Sequence, residues 1–306
     1  MEAVRPFQLR KRMTNLAESL ARRLDAQEKP VLSNYEIFAI LTRIYRDGDA
    51  RYLRGDKPNH DIFRRTRALL VAEGIIRSDN DYHPLYRVMS KSDAAAEDIA
   101  CSVDPYCYIS HMSAMQRYGL TNRRPEALFL TEPTAALKRQ LVKAEAPSGN
   151  IRFDNDLDRF NGPAERPTAV RHPASVRGRR LEILSTKHVG KHVAIKGTLA
   201  RIATIGQTFL DMLDEPARCG GMAHILDIWS EHVRTYLDDV LTTIDGAPKP
   251  ILKVRAGYIL DERLGVTDSR VAAWSALAQR GSSRVLVAGE PFASEFSETW
   301  MLSLNV

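Results

Sequence analysis

The sequence contains little cysteine and no long apolar run. Its 306 residues include three cysteines, Cys101, Cys107 and Cys219, whose spacing matches neither a disulfide framework nor a metal-binding pattern. No segment approaches the roughly 18 consecutive apolar residues of a membrane-spanning helix, and the basic N-terminus lacks the apolar centre of a signal peptide. We therefore expect a protein of the reducing cytoplasm. We expect it to have no membrane partner, no bound metal and no cofactor.

The sequence also lacks the motifs of common enzyme classes. It has no glycine-rich dinucleotide fingerprint, no phosphate-binding loop, no nucleophile elbow and no strand with the acidic pattern of a nuclease. Asp211 and Asp214 are the candidate pair for acid–base or metal chemistry, because a spacing of three places them on one helix face. No further reactive groups accompany them, and a solvent-facing or strand-pairing role for Asp211 is the alternative. We expect a protein that is not an enzyme and has no catalytic residues.

Charge, in contrast, is abundant and unevenly distributed, within a formal net charge of +6. Residues 1–90 contain 17 lysines and arginines against 12 acidic residues, and residues 171–201 contain eight against one. The rest of the chain is therefore net acidic. Segregated basic charge indicates an anionic partner and is typical of a nucleic-acid-binding face. The alternative is the ordinary solvated surface of a basic protein.

Residues 1–95 show the element order of a winged helix-turn-helix domain. Leucines recur at helical spacing over 13–28, and a second helix is capped by Ser33 or Asn34. A third helix begins at Asn59 and stops near Gly74, and two extended runs around an Asx-rich turn then predict a hairpin. In this arrangement the third helix enters the major groove of DNA and the hairpin lies against the backbone. A dimerisation or partner-binding module is the alternative.

Two groups of residues are predicted to contact double-stranded DNA. The first group lies on the third helix and the hairpin, where arginine and asparagine can read bases and other charges hold phosphates: Asn59, His60, Arg64, Arg65, Arg67, Arg77 and Arg87. The second group lies in the basic run 171–201 and would add phosphate contacts: Arg177, Arg179, Arg180, Lys187 and Lys191. A face for an acidic partner and a solvated loop are the alternatives for this run. The double change Arg64→Ala, Arg67→Ala is expected to abolish operator binding and leave the fold intact.

Residues 96–306 predict a larger domain of mixed α and β structure, so the fold class is α+β. Short strands near residues 106–109 and 127–131 enclose a helix capped by Ser110. The segment 132–180 is interrupted by proline and glycine and predicts mostly loop, with one candidate strand at Arg152–Phe153. In the stretch 201–221 a strand runs into a helix with a Thr204–Gln207 capping box. A long helix over 222–241, two shorter helices and terminal edge strands follow.

Several motifs of this second domain resemble the AbiEi family of bacterial antitoxins. They lie at residues 108–115 with 118–121, at 201–204 with 208–214 and 220–221, at 255–260 and at 300–305. The family comprises partners of nucleotidyltransferase-type toxins in type IV toxin–antitoxin systems, which act in abortive infection.

The resemblance implies a repressor and antitoxin. The N-terminal domain would bind operator inverted repeats and repress its own toxin–antitoxin operon, and the second domain would counteract a nucleotidyltransferase-like toxin. The alternatives are an antitoxin that sequesters its toxin by direct binding, and a solitary transcriptional regulator with no toxin partner. A nucleotidyltransferase-like reading frame immediately downstream would distinguish an antitoxin from a solitary regulator.

Overall fold

The computed structural model describes residues 13–145, 170–279 and 284–306. Within this part of the chain there are two compact units. The first unit comprises residues 13–105, 135–145 and 170–178, and the second comprises the remaining described residues. The segment 135–178, which the sequence analysis assigned to the second domain, thus contributes its described residues to the first unit.

Helices and strands are both frequent, in agreement with the predicted α+β class. The described helices are α1 (Asn15–Ala26), α2 (Asn34–Asp47), α3 (His60–Ala72), α4 (Ala96–Val103), α5 (His111–Arg117), α6 (Ala135–Glu145), α7 (Ile205–Asp214), α8 (Met222–His232), α9 (Leu237–Asp245), α10 (Pro250–Gly257) and α11 (Ser269–Trp274). The described strands are β1 (Val31–Leu32), β2 (Ile76–Ser78), β3 (Tyr86–Val88), β4 (Tyr108–Ile109), β5 (Ala127–Pro133), β6 (Ser175–Val176), β7 (Arg179–Thr186), β8 (His192–Ala194), β9 (Arg201–Ala203), β10 (Phe296–Ser297) and β11 (Leu302–Ser303).

Side-chain caps set the starts of α2 and α3. Ser33 and Glu36 exchange hydrogen bonds in a capping box at the start of α2, so Ser33 rather than Asn34 is the cap. Asn59 accepts a hydrogen bond from the Ile62 amide at the start of α3, which confirms it as the predicted cap. Such caps stabilise a helix by about 1 kcal/mol. Gly48, with φ 67°, ends α2 in the left-handed conformation that glycine adopts without strain.

The core of the first unit lies between its first three helices and a small sheet. Leu20, Leu41 and Phe63 are fully or almost fully buried and belong to one apolar cluster. The sheet is antiparallel with the strand order β1-β3-β2. The predicted hairpin is present, with its second strand at Tyr86–Val88.

The second unit contains a mixed sheet with the strand order β7-β5-β4-β9-β8. The two longest strands, β5 and β7, are parallel, as are β4 and β9, while β4–β5 and β8–β9 are antiparallel. A large apolar cluster includes Phe209, Trp229 and Trp300. Gly257 lies so close to Trp300 that an added Cβ would come within 2.1 Å of the indole ring. Only glycine fits this approach of helix to ring.

Three local predictions for the second part of the chain are wrong. The predicted long helix over 222–241 is interrupted by a 3₁₀ turn at residues 233–236. Part of the predicted loop 132–180 is helical, since α6 lies at its beginning; the candidate strand at Arg152–Phe153 lies outside the described residues. Ser110 occupies the N-cap of α5 without capping it, because its hydroxyl bonds the His111 ring and accepts from Thr131 instead.

No helix in the described ranges combines the length and the apolar character needed to cross a membrane.

Candidate nucleic-acid interface

Helix α3 buries one face and exposes two arginines on another. Phe63 and Leu70 are buried in the core, whereas Arg64 and Arg65 are exposed, as the helical period of 3.6 residues requires. Arg64 lies 3.5 Å from the Asp61 carboxylate, but both side chains are more than 60% exposed, so this pair contributes little. Arg65 forms no ion pair with any residue that the structure describes. The two guanidinium groups are therefore available to an anion in solution.

Arg67, the third predicted arginine of α3, is half-buried and held by neighbours. Its guanidinium donates to Asn34 Oδ1 and lies 5.4 Å from the ring centroids of both Phe63 and Tyr86. These cation–π contacts tie α3 to the start of α2 and to β3. Replacing Arg67 would therefore disturb packing as well as any DNA contact. The predicted Arg64, Arg67 double change would not leave the fold undisturbed.

The first turn of α3 carries the other two predicted groove residues. Asn59 and His60 are both exposed. The Asn59 side-chain oxygen accepts from the Ile62 amide at 2.9 Å. The Asn59 side-chain amide, which was predicted to read a base, thus also caps α3.

The hairpin presents one exposed arginine and one that is half-buried. Arg77 on β2 lies directly opposite Arg87 on β3, and opposed like charges destabilise a sheet unless a counter-charge is near. Asp79 supplies that counter-charge, since Arg87 Nε donates to its Oδ2 at 3.3 Å. Arg77 is exposed and is the hairpin cation most open to a phosphate.

Asp79 is the centre of the hairpin turn. Its buried carboxylate accepts from the backbone amides of Asp81 and Tyr82, each at 2.9 Å, and from Arg177 at 2.6 Å. Burial alone would raise the pKa of Asp79, but the hydrogen bonds from Arg177 and the Tyr82 amide outweigh it and lower the pKa. Arg177 also bonds Asp81 through both its guanidinium and its backbone amide. Arg177, a predicted phosphate contact, thus has both acidic residues of this turn as partners.

A second set of buried polar side chains is hydrogen-bonded to Tyr82, which lies in this turn. The Tyr82 hydroxyl and His172 Nδ1 are 2.7 Å apart, and His172 Nε2 is 3.2 Å from the Asp104 carboxylate. Lys138 on α6 donates to the same carboxylate at 2.6 Å, and its side chain is only 3% exposed. Two described residues of the segment 135–178 therefore support the buried side of the hairpin turn: His172 bonds Tyr82, and Lys138 shares the Asp104 carboxylate with His172. No local sequence pattern marks Lys138 or His172 as part of this group, because their common partner Asp104 lies 34 and 68 positions away.

The remaining predicted phosphate contacts belong to the second unit. Arg180 is 63% exposed and lies 3.4 Å from Glu182, Lys187 and Lys191 are exposed, and Arg179 is half-buried. The predicted basic run is therefore divided, with Arg177 in the first unit and these four residues in the second.

A buried carboxyl group lies on α7 of the second unit. Asp211 Oδ1 accepts from Gln207 Nε2 at 2.7 Å, and Gln207 Oε1 accepts from the Lys191 amide at 3.2 Å. Only half of the predicted capping box is therefore formed. The Thr204 hydroxyl accepts from the backbone amide of Gln207, but the Gln207 side chain donates to Asp211 instead of to the Thr204 backbone. Asp211 Oδ2 is shielded from solvent and has no hydrogen-bond partner within the described chain.

The environment of Asp211 differs from that of Asp214. Burial raises the pKa of Asp211 to about 7, the Gln207 hydrogen bond opposes this, and Asp214 and Glu215 add repulsion. Asp214 instead accepts from the exposed Lys249 ammonium at 2.6 Å. The two carboxylates have separate partners, and the Asp211 carboxyl is buried rather than solvent-facing or strand-pairing.

Comparisons with known proteins identify a similar solved structure but no family. No family model matches the chain, and no curated protein matches it. The solved structures include a similar one, the crystal structure of the RV2827C protein from Mycobacterium tuberculosis. The match covers 98% of this chain and 94% of that chain, with 12% sequence identity and a TM-score of 0.48. A similarity of this degree assigns neither a family nor a function.

Proposed function

We propose that the first unit is a winged helix-turn-helix domain and that the protein is a DNA-binding transcriptional repressor. The observation that carries the proposal is the exposed, weakly paired arginine face of α3, formed by Arg64 and Arg65. Three helices followed by a hairpin, with a short strand between the first two helices completing the sheet β1-β3-β2, support it. In such domains the third helix is the one that enters the major groove.

Different residues would read the bases and bind the phosphates of the DNA. Arg64 and Arg65 would lie in the major groove, where a guanidinium can donate two hydrogen bonds to one guanine. The exposed Arg77 would bind the phosphate backbone from the hairpin, which the buried Asp79 and Arg177 hold in place. Because phosphate contacts release counterions, affinity would fall steeply as salt concentration rises.

The test is binding of the full chain to a fluorescent duplex that covers the region upstream of its own gene. A shuffled duplex of equal composition measures non-specific binding. Each arginine–guanine pair is worth about 1–3 kcal/mol, so Arg64→Ala, Arg65→Ala should weaken specific binding on the order of 100-fold or more. Both side chains are exposed, so the melting temperature should not change.

Arg117→Ala is the matched control, because Arg117 is an exposed helical arginine of the second unit. This control should bind like the wild type. Equal affinity of the wild type for the two duplexes, or unchanged binding by the double variant, would overturn the proposal.

The antitoxin part of the proposal rests on the sequence resemblance. The repressed operon would encode a nucleotidyltransferase-like toxin, and the second unit would counteract it. The test is growth of cells that express the downstream gene alone and together with this chain. Rescue of growth without co-purification would support an antitoxin that does not bind its toxin stably. Co-purification would favour sequestration, and a harmless downstream gene would favour a solitary regulator.

A further inference from the structure

The loop between α2 and α3, residues 48–58, is held at both of its ends. At its start, Ser19 on α1 donates to the Asp49 carbonyl at 2.7 Å, and Arg23 forms ion pairs with Asp47 and Asp49. At its end, Pro58 is buried directly before the cap of α3. These contacts fix the positions of both ends of the loop, between which its middle residues lie.

The middle of this loop is exposed and does not pack against the other described residues. Tyr52 is 90% exposed, and a Cβ built at Gly55 would meet no atom within 4 Å. Arg51 and Arg54 are exposed too and form no ion pair in the described part of the chain. The nearest acidic residue before them, Asp49, is already paired with α1.

The Tyr52 backbone is in an unusual conformation, with φ 60°. A positive φ is uncommon for a residue with a side chain, because the Cβ atom crowds the backbone in this conformation. Three other non-glycine residues of the described chain have a positive φ: His111 is buried and bonded to Ser110, Arg177 is ion-paired, and Met301 is partly buried. The Tyr52 side chain makes no comparable contact with the residues that the structure describes, so packing against them does not account for its conformation.

The neighbours of Tyr52 favour a nucleic-acid partner over a protein partner. A tyrosine that anchors a protein interface is usually surrounded by apolar contacts at the centre of the patch. Here the exposed charged residues of the loop from position 51 onward are Arg51, Arg54, Asp56 and Lys57, and their net positive charge complements a phosphate backbone. Tyrosine hydroxyls and arginines are common donors to phosphate oxygens.

We propose that Arg51, Tyr52 and Arg54 form a phosphate clamp on double-stranded DNA, next to the groove entered by α3; this rests on the proposed DNA-binding function. Tyr52 and Asn59 are seven positions apart in the chain, so their Cα atoms lie at most about 25 Å from each other. The major groove is about 12 Å wide, so one duplex can contact both the loop and the first turn of α3. The Tyr52 hydroxyl donates to a phosphate oxygen, and the two guanidinium groups bind neighbouring phosphates.

The experiment measures binding of the full chain to the upstream and shuffled duplexes over a range of salt concentrations. The plot of log affinity against log salt has a negative slope, and each lost phosphate contact reduces the magnitude of that slope by about 0.9. Arg51→Ala, Arg54→Ala should therefore make the slope less negative by about 2. Tyr52→Phe, which removes one hydroxyl, should weaken binding about 2- to 10-fold.

Both effects should be equal on the two duplexes, because phosphate contacts read no sequence. In contrast, Arg64→Ala, Arg65→Ala should reduce the preference for the upstream duplex. A matched charge control is Arg117→Ala, Arg263→Ala, which removes two exposed arginines of the second unit.

The outcomes separate the clamp from the function on which it rests. If the wild type binds neither duplex, the proposed function is wrong and the clamp with it. If the wild type binds and the α3 variant is impaired, but Tyr52→Phe and the Arg51, Arg54 variant match the charge control, the clamp alone is wrong. In that case a protein partner becomes the better explanation for the exposed tyrosine.

Discussion

Replacing Asp211 by asparagine should remove a pH dependence from the stability of the second unit. Asp211 Oδ1 accepts from Gln207, while Oδ2 is buried without a partner among the described residues. Burial is the main reason why the pKa of Asp211 rises from 3.8 to about 7, and Asp214 and Glu215 add to the rise. The folded protein therefore binds a proton at this site that the unfolded chain releases at lower pH.

The sign and size of the effect follow from this difference. The Asp211 contribution to the free energy of unfolding is greatest below pH 3.8. It then falls as pH rises towards about 7, because ionisation in the buried site is unfavourable. Each pKa unit corresponds to about 1.4 kcal/mol. The whole shift is thus worth at most about 4 kcal/mol, of which roughly 2 kcal/mol is lost between pH 5.5 and pH 8.

The assay is urea unfolding at pH 5.5 and pH 8, followed by tryptophan fluorescence. All three tryptophans, Trp229, Trp274 and Trp300, lie in the second unit, so the signal reports that unit alone. Asparagine resembles the neutral carboxylic acid and does not titrate. Asp211→Asn should therefore lose roughly 2 kcal/mol less stability than the wild type between the two pH values. A constant cost of about 1–3 kcal/mol for its buried amide does not affect this comparison.

Asp214→Asn is the control, because Asp214 is partly exposed and pairs with Lys249. It should keep most of the pH dependence of the wild type, because burial, and not the repulsion from Asp214, is the main cause of the raised pKa of Asp211. If the stability of Asp211→Asn changes with pH in parallel with the wild type, the carboxyl titrates near its ordinary pKa and the argument from burial is refuted.

Two further substitutions test the packing of each unit. Arg177→Ala leaves the buried Asp79 carboxylate short of its strongest partner, so we expect a loss of about 3–5 kcal/mol in the first unit. Far-UV circular dichroism during thermal unfolding measures this loss, and an unchanged melting temperature relative to Arg171→Ala, an exposed control, would contradict it. Gly257→Ala should destabilise the second unit by more than about 2 kcal/mol, because its Cβ would lie 2.1 Å from a buried indole ring. Gly246→Ala has room for its Cβ at 3.6 Å and should be tolerated; equal fluorescence-detected stability of the two variants would disprove the close-packing argument.

The first three helices and the hairpin are predictable because their signals are local. The Ser33 and Asn59 caps act within three residues, and the buried and exposed sides of α3 follow from the helical period alone. The exposed positions of Arg64 and Arg65 in the candidate interface follow in the same way. The predicted contact of these arginines with DNA remains a prediction.

Other parts of the candidate site depend on residues far apart in the chain. Arg177 meets Asp79 across 98 positions, and Lys138 meets Asp104 across 34. No local pattern marks these pairs, since a single basic residue in a loop looks the same whether it is solvated or paired. The long helix predicted over 222–241 fails for a related reason, because its apolar residues continue across the 3₁₀ turn at 233–236 and periodicity alone does not locate the break.

The sequence by itself determined the α+β composition, the capped starts of α2 and α3 and the basic, exposed side of α3, because capping and periodicity act over a few residues. Only the tertiary structure decided which charges remain available. It buried the Asp211 carboxyl, paired Arg177 with the hairpin turn and packed Arg67 against two aromatic rings. It left Arg51, Tyr52 and Arg54 exposed on an anchored loop, without an ion pair or hydrogen bond to any side chain in the described ranges. Burial and ion pairing depend on what the folded chain brings alongside each side chain, and that information is absent from any short stretch of sequence.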